Sequence, residues 1–289
     1  MDRKASAVAH GAATIVNAIA LGKGAAFGVD LWTKAEIELT DETGVIQVQI
    51  ISDPNESTLL VERTVIRIFE QFHLQNVFGA KIKTTSNIPV ARGLKSSSVA
   101  ANATALATVT ALGKRLDDLE IIKISTQAAF DAKCTITGAF DDAAASYFGG
   151  AVLTNNLKPQ ILKQITLSQD YTVLFHVPPQ KIYTINSDIN RLRTVKPLVE
   201  LAFTQAMDDK IWEALTLNGL VYSAASNQNT TIAIDALAAG AIAAGLCGKG
   251  PAVTVVTSKD NVDKVKSALQ KYDGEVLMAK INSEKAKVV

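Results

Sequence analysis

The sequence predicts an α+β protein built in two parts, and three observations carry that expectation. The first half reads as strands followed by helices. The hydrophobic period changes from two at Val45–Ile51 to helical spacing at Ser57–Leu74. The run Asn155-Asn156-Leu157-Lys158-Pro159 is the best linker candidate in the chain. Each part is expected to hold a mostly antiparallel sheet with helices on one side.

Taken in order, Ala5–Leu21 and Gly28–Leu39 read as strands. In Val45–Ile51, Ile46, Val48 and Ile50 share one face and Gln47 and Gln49 the other. Asp41-Glu42-Thr43-Gly44 is a turn signal, so residues 36–51 are expected to form a hairpin. Ser57–Leu74 places Val61, Val65, Ile68 and Phe72 on one helical face, with Asn55 or Ser57 available as a cap. Ala80–Ser86 returns as a strand. Ser96–Leu112 is Ala-rich and helical, and Gly113 suits its C-terminal end. Asp117 opens a helix to about Lys133, and a short helix from Phe140 to Phe148 stops at Gly149-Gly150, before a strand to Thr154. Beyond the linker come strands near 161–167 and 171–177, helices within 197–225, and a helix from Thr231 to Ala244. The strand Ala252–Thr257, a helix over 260–272 and a last strand over 274–281 complete the reading.

Composition narrows the function. Over 289 residues, 29 Lys+Arg face 28 Asp+Glu, and a net charge of +1 supplies no global field for gripping nucleic acid. Aromatics at 6% make base-stacking platforms an equally poor expectation. Two cysteines, Cys134 and Cys247, match neither a disulfide framework nor a zinc site, and three histidines are too few for a His-rich metal centre. A reducing cytoplasm is the simplest setting. Arg3 and Lys4 before the uncharged stretch 5–22, with Ala18-Ile19-Ala20 near its end, have features of a signal peptide, but His10, Gly11 and Asn17 interrupt the apolar run. Residues 96–113 are uncharged but too rich in Ser, Asn and Thr for a membrane span.

Three segments join glycine to a chemical purpose. Pro89-Val90-Ala91-Arg92-Gly93-Leu94-Lys95-Ser96-Ser97-Ser98 immediately precedes a helix. Glycine lets backbone approach a ligand, the helix start offers unpaired N–H groups, and a serine hydroxyl can ligate Mg²⁺ beside a triphosphate. The same residues also suit an ordinary serine-capped helix after a turn. The Walker pattern is absent: the residues five before Gly22, Gly113 and Gly248 are Asn17, Thr108 and Ala243, so a kinase here is not a P-loop kinase. The second segment runs from Thr137 through Asp141-Asp142 to Gly149-Gly150. Its two carboxylates either cap a helix or handle a hydroxyl proton. The third, Gly245-Leu246-Cys247-Gly248-Lys249-Gly250-Pro251, holds more glycine than a turn between a helix and a strand needs.

In this order and spacing the three segments resemble the GHMP kinases, the small-molecule kinases that include galacto-, homoserine and mevalonate kinases. Residues 89–98 look like that family's P-x-x-x-G-L-x-S-S-x phosphate motif, the Asp141 segment like the part bearing its catalytic aspartate, and residues 245–251 like its C-terminal glycine-rich motif. The likeness spans nearly the whole chain. The archaeal-type shikimate kinase branch is the most similar, through Gly11–Ala20 with Gly22–Leu31, through Lys95 in Gly93-Leu-Lys-Ser-Ser-Ser, and through Gly138-Ala-Phe-Asp-Asp-Ala.

The resemblance implies a two-part GHMP kinase fold. Residues 1–156 would form a ribosomal-protein-S5-domain-2-like N-terminal part with the phosphate loop, and residues 157–289 a ferredoxin-like C-terminal part. It implies ATP and Mg²⁺ as cofactors and transfer to the 3-hydroxyl of shikimate. Pro89, Arg92, Gly93, Leu94, Lys95, Ser96, Ser97, Ser98, Gly248 and Gly250 would hold the nucleotide, and Ser97 and Asp131 the metal. Asp141 or Asp142 would be catalytic, since relatives differ by one residue in their spacing from the glycine pair. Lys23, Asp30 and Asp141 would meet the substrate, with Lys23 and Arg92 as candidates for its carboxylate. The glycine loops read the nucleotide. They leave open another acceptor, such as homoserine or mevalonate, and a non-catalytic ligand sensor of the same fold. Partners are expected to be small molecules, without nucleic acid or membrane, in a monomer or homodimer.

Overall fold

The computed structural model describes residues 3–136, 138–180 and 189–289. Thr137, the first residue of the second glycine-bearing segment, lies outside the described residues. Two long strands, β1 (Lys4–Val16) and β2 (Lys23–Thr40), form the antiparallel centre of the first sheet. Much of the uncharged N-terminal stretch is therefore core strand, with Ala7, Ala9, Ala13 and Ile15 fully buried. Between them, β3 (Ile46–Ile50), helix α1 (Leu59–Gln71) and β4 (Gly79–Ser86) build the far edge. β4 pairs antiparallel with β2 and parallel with β3, so the hairpin expected over 36–51 does not form. A parallel pair needs a crossover, and α1 supplies it while burying Val61, Val65 and Ile68.

The first half continues with α2 (Ser96–Ala111), α3 (Asp118–Asp131) and α4 (Phe140–Phe148). α2 is buried on nearly every side by Val99, Ala103, Ala105, Ala107 and their neighbours, as a helix without a polar face must be. Asp117 and Glu120 close a capping box on α3. β5 (Ala151–Asn155) then pairs with the N-terminal end of β2, and β6 (Gln160–Ile165) folds back on β5. Residues 155–159 are thus a hairpin turn inside the first sheet rather than a linker. The change of sheet comes after Ile165.

The second sheet runs β10 (Glu275–Lys280), β7 (Tyr171–Val177), β9 (Val253–Ser258), β8 (Ala243–Leu246), all antiparallel. Helices α5 (Ile189–Thr194), α6 (Lys196–Met207), α7 (Ile211–Ala225) and α8 (Thr231–Ala238) lie between β7 and β8, and α9 (Val262–Leu269) follows β9. A single helix was expected over 231–244, but α8 stops at Ala238. Gly240, at φ 99°, is the left-handed residue that ends it, and Ala243–Leu246 join the sheet. The terminal β11 (Lys287–Val288) returns to β1.

Helices cover both faces of the first sheet, not one. Phe27 meets Trp212 of α7 edge-on at 5.3 Å, whereas its neighbour Ala26 packs on Ala144 and Ala145 of α4, and successive strand residues point to opposite faces. α7 also packs on β8, so one helix ties the two sheets together. Among the described residues, no helix is long and apolar enough to cross a membrane.

Candidate active site

The three glycine-bearing segments converge on one cavity of about 400 Å³. Its walls come from the loop before α2, the start of α4, the β8–β9 loop and the end of β1. The first and third segments dock backbone to backbone. Arg92 O accepts from Ala252 N–H, and the Cys247 thiol donates to Gly93 O at 3.1 Å. Gly93 sits at φ 88°, and a Cβ there would lie 2.5 Å from Cys247 O. Only glycine satisfies both conditions.

Lys95 takes the left-handed conformation (φ 65°) at the N-cap of α2 without a side-chain cap bond. The first intrahelical bond is from Val99 N–H to Lys95 O, which leaves the N–H groups of Ser96, Ser97 and Ser98 for a ligand. An uncapped helix start facing a cavity is an anion cradle, and the three serines line that cavity.

Two acids and two lysines set the electrostatics. The Lys95 ammonium lies 3.0 Å from Asp142 Oδ2, with both side chains about nine-tenths buried. Burial pulls the Lys95 ammonium down, but Asp142, Cys247 and Asp141 outweigh it and the net shift is upward. Asp141 points elsewhere. Its Oδ1 accepts from Asn156 Nδ2 at 2.7 Å, and Asn156 Oδ1 in turn accepts from the Thr154 hydroxyl at 2.7 Å. Its Oδ2 faces Gly24, where a Cβ would come within 2.4 Å. Burial, then the neighbouring Asp142 charge, pushes the Asp141 carboxyl up to about 7, against the pull of Lys95 and Asn156. Lys249, also on the cavity wall, is brought down to about 7 by burial first and Lys95 second.

A hydrogen-bonded frame holds the glycine-rich loop. Gly248 N–H donates to the Thr14 hydroxyl at 3.0 Å, Gly248 O accepts from Asn17 Nδ2 at 3.0 Å, and Asn17 N–H donates to Asn218 Oδ1 at 3.1 Å. Tyr222 accepts from Ala20 N–H at 3.1 Å, and Gln228 Nε2 donates to Lys249 O at 2.6 Å. α7 thereby fixes both the loop after β1 and, through it, the β8–β9 loop.

Of the expected residues, Gly93, Lys95, Ser96, Ser97, Ser98, Asp141, Asp142, Gly248 and Gly250 line the cavity together. Six do not. Leu94 is buried in the hydrophobic core, and Pro89 lies off the cavity wall. The Arg92 guanidinium donates to Pro178 O, away from the ligand space. Asp131, expected at the metal, lies off the cavity wall: Arg67 of α1 engages both its oxygens, at 2.6 and 2.9 Å, and holds its carboxyl below the usual range. Asp30 accepts from Lys280 N–H in the second sheet. Lys23 precedes Gly24 in β2 and so points to the opposite face from Asp141, where its ammonium sits 5.8 Å from the Phe203 ring. Sequence reasoning missed Thr14, Asn156 and Lys249. Asn156 reads as a linker residue, and Lys249 is hidden among glycines. No local pattern marks either of them.

The chain matches the family model for the GHMP kinases N terminal domain over residues 60–150 and that for GHMP kinases C terminal over residues 204–274. It is 40% identical over 288 residues to the shikimate kinase of Methanosarcina mazei, covering 99% of this chain and 97% of that protein. It is 36% identical over 284 residues to the shikimate kinase of Methanothermobacter thermautotrophicus, covering 96% of each. Among solved structures, homoserine kinase from Cytophaga hutchinsonii shares the fold at a TM-score of 0.76 and 17% identity, over 100% of this chain and 98% of that one. Mevalonate kinase from L. major, in complex with R-mevalonate, does so at 0.78 and 14%, over 99% and 98%.

Proposed function

This chain belongs to the GHMP kinase family, and on that premise we propose that it transfers the terminal phosphoryl group of ATP to the 3-hydroxyl of shikimate. One observation carries the reading: an uncapped helix start and a buried carboxylate poised near neutrality face the same cavity. Near-full-length identity of 36–40% to proteins named shikimate kinase supports the choice of acceptor.

The N–H groups of Ser96–Ser98 would receive the phosphates, with the β8–β9 loop closing over them. Phosphoryl transfer asks the protein for positioning and charge neutralisation more than covalent chemistry. Asp141 is the proton acceptor. A carboxyl near 7 is basic enough to take a hydroxyl proton and is still about half ionised at neutral pH. Its Oδ1 is fixed by Asn156, which leaves Oδ2, beside Gly24, to meet the acceptor hydroxyl. Asp142 neutralises Lys95 and holds the lysine in place beneath the phosphate loop.

Mg²⁺ held mainly by phosphate oxygens and water needs only one or two protein ligands, and the Ser97 hydroxyl on the cavity wall fits that role. The metal would neutralise charge on the transferring phosphates. Two free thiols suit a reducing cytoplasm as the setting.

The decisive experiment is an ADP-release assay with a panel of shikimate, homoserine, mevalonate and galactose. Turnover restricted to shikimate is expected. Preference for another acceptor would reassign the substrate, and nucleotide binding without any turnover would make the protein a sensor.

A further inference from the structure

Lys249 occupies the tip of the β8–β9 loop, with its carbonyl anchored by Gln228 and the preceding residue anchored by Thr14 and Asn17. Its side chain lines the same cavity as Ser96–Ser98 and Asp141. Unlike Lys95, it forms no ion pair among the described residues. Among the described residues the cavity thus holds one matched pair, Lys95–Asp142, and two amines without an ion pair, the exposed Lys133 and the more enclosed Lys249 beside the helix start.

We propose that Lys249 contacts the terminal phosphate of the nucleotide and becomes fully protonated only when the triphosphate enters, so that nucleotide and proton bind together. This rests on reading the cavity as a nucleotide site. Burial and the nearby Lys95 charge disfavour the ammonium, and Asp142 only partly offsets them. Several other charged or titratable groups line the cavity: Asp141 from α4, Lys95 at the start of α2, Glu56 before α1, and Lys133 and Cys134 after α3. The Cys247 thiol lies behind the wall, bonded to Gly93 O and near enough to Lys95 to act on its charge. Asp141 also sits near 7, so it is the competing proton acceptor. A triphosphate brings several negative charges next to the amine and reverses the balance, because a charge-assisted phosphate contact requires the ammonium.

The test is calorimetric titration of Mg²⁺-ATP, without acceptor, at pH 8 in HEPES and in Tris, whose ionisation enthalpies differ. A group poised near 7 should take up about 0.9 proton per site. Lys249→Arg, which stays charged throughout, should abolish the uptake. Asp141→Asn should keep it. Lys249→Met should lose it and weaken binding by about 10- to 100-fold. Uptake that survives in Lys249→Arg and vanishes in Asp141→Asn would assign the proton to Asp141 and overturn the proposal, as would unchanged affinity in Lys249→Met. Wild-type protein that fails to bind Mg²⁺-ATP would instead remove the nucleotide reading beneath it.

Discussion

Lys95 and Asp142 form a buried ion pair at 3.0 Å that joins the phosphate loop to the first turn of α4. The carboxylate beside it in the chain, Asp141, turns away to Asn156 and Gly24. Adjacent aspartates thus have different partners: one neutralises a lysine, the other accepts from an asparagine amide.

Breaking the pair from one side strands a buried charge. Lys95→Met should destabilise the protein by about 3–5 kcal/mol in denaturant unfolding, because Asp142 keeps its desolvation cost and loses its partner. Lys95→Met with Asp142→Leu should recover much of that loss. An additive double mutant would show that the two groups do not interact.

Asp141→Asn should lower kcat by about 10²- to 10⁴-fold with little change in nucleotide affinity. In the wild type, kcat/KM should rise with pH through about 7 as Asp141 loses its proton. The stability effect runs the other way. A carboxyl whose folded-state value is raised binds more protons folded than unfolded, so stability falls as pH climbs from about 4 to about 7. The thermal-stability advantage of Asp141→Asn should therefore be larger at pH 8 than at pH 5, and an advantage independent of pH would refute the assignment.

Asn156 donates to the charged form of Asp141 and holds its titration down. Asn156→Ala should shift the rising limb of the kcat/KM profile to higher pH. Loss of activity at every pH with an unmoved limb would make Asn156 merely structural.

Gly24 and Gly93 should fail differently. Gly24→Ala puts a methyl 2.4 Å from Asp141 Oδ2, in a strand whose backbone tolerates alanine, so kcat should fall while melting temperature changes little. Gly93→Ala adds a left-handed backbone penalty to a collision with Cys247 O, so nucleotide affinity and stability should drop together. Equal loss of stability in both would contradict this division.

Local signals made much of this protein legible. The helix start at Asp117, the helical spacing of Val61, Val65 and Ile68, and the serine run at a helix start each act within a few residues, and the structure keeps all three. The likeness to GHMP kinases likewise rests on short contiguous motifs. What escaped is non-local. The turn at Asp41–Gly44 forms, but strand β4 inserts between β2 and β3 as α1 buries its apolar face on the sheet, so the turn does not pair those two strands. Ala243–Leu246 are helix formers by propensity, yet pairing with β9 makes them strand.

By itself, then, the sequence determined that a helix start rich in glycine and serine, a pair of adjacent aspartates and a glycine-rich loop occur in one chain. Only the tertiary structure decided which charge meets which. It gave Asp131 to Arg67, Asp142 to Lys95 and Asp141 to Asn156, and among the described residues it left Lys249 without an ion pair. The reason is physical. A charge's partner and its proton affinity depend on burial and on neighbours that are distant in the chain, such as Arg67 for Asp131 and Lys95 for Asp142, but close in space.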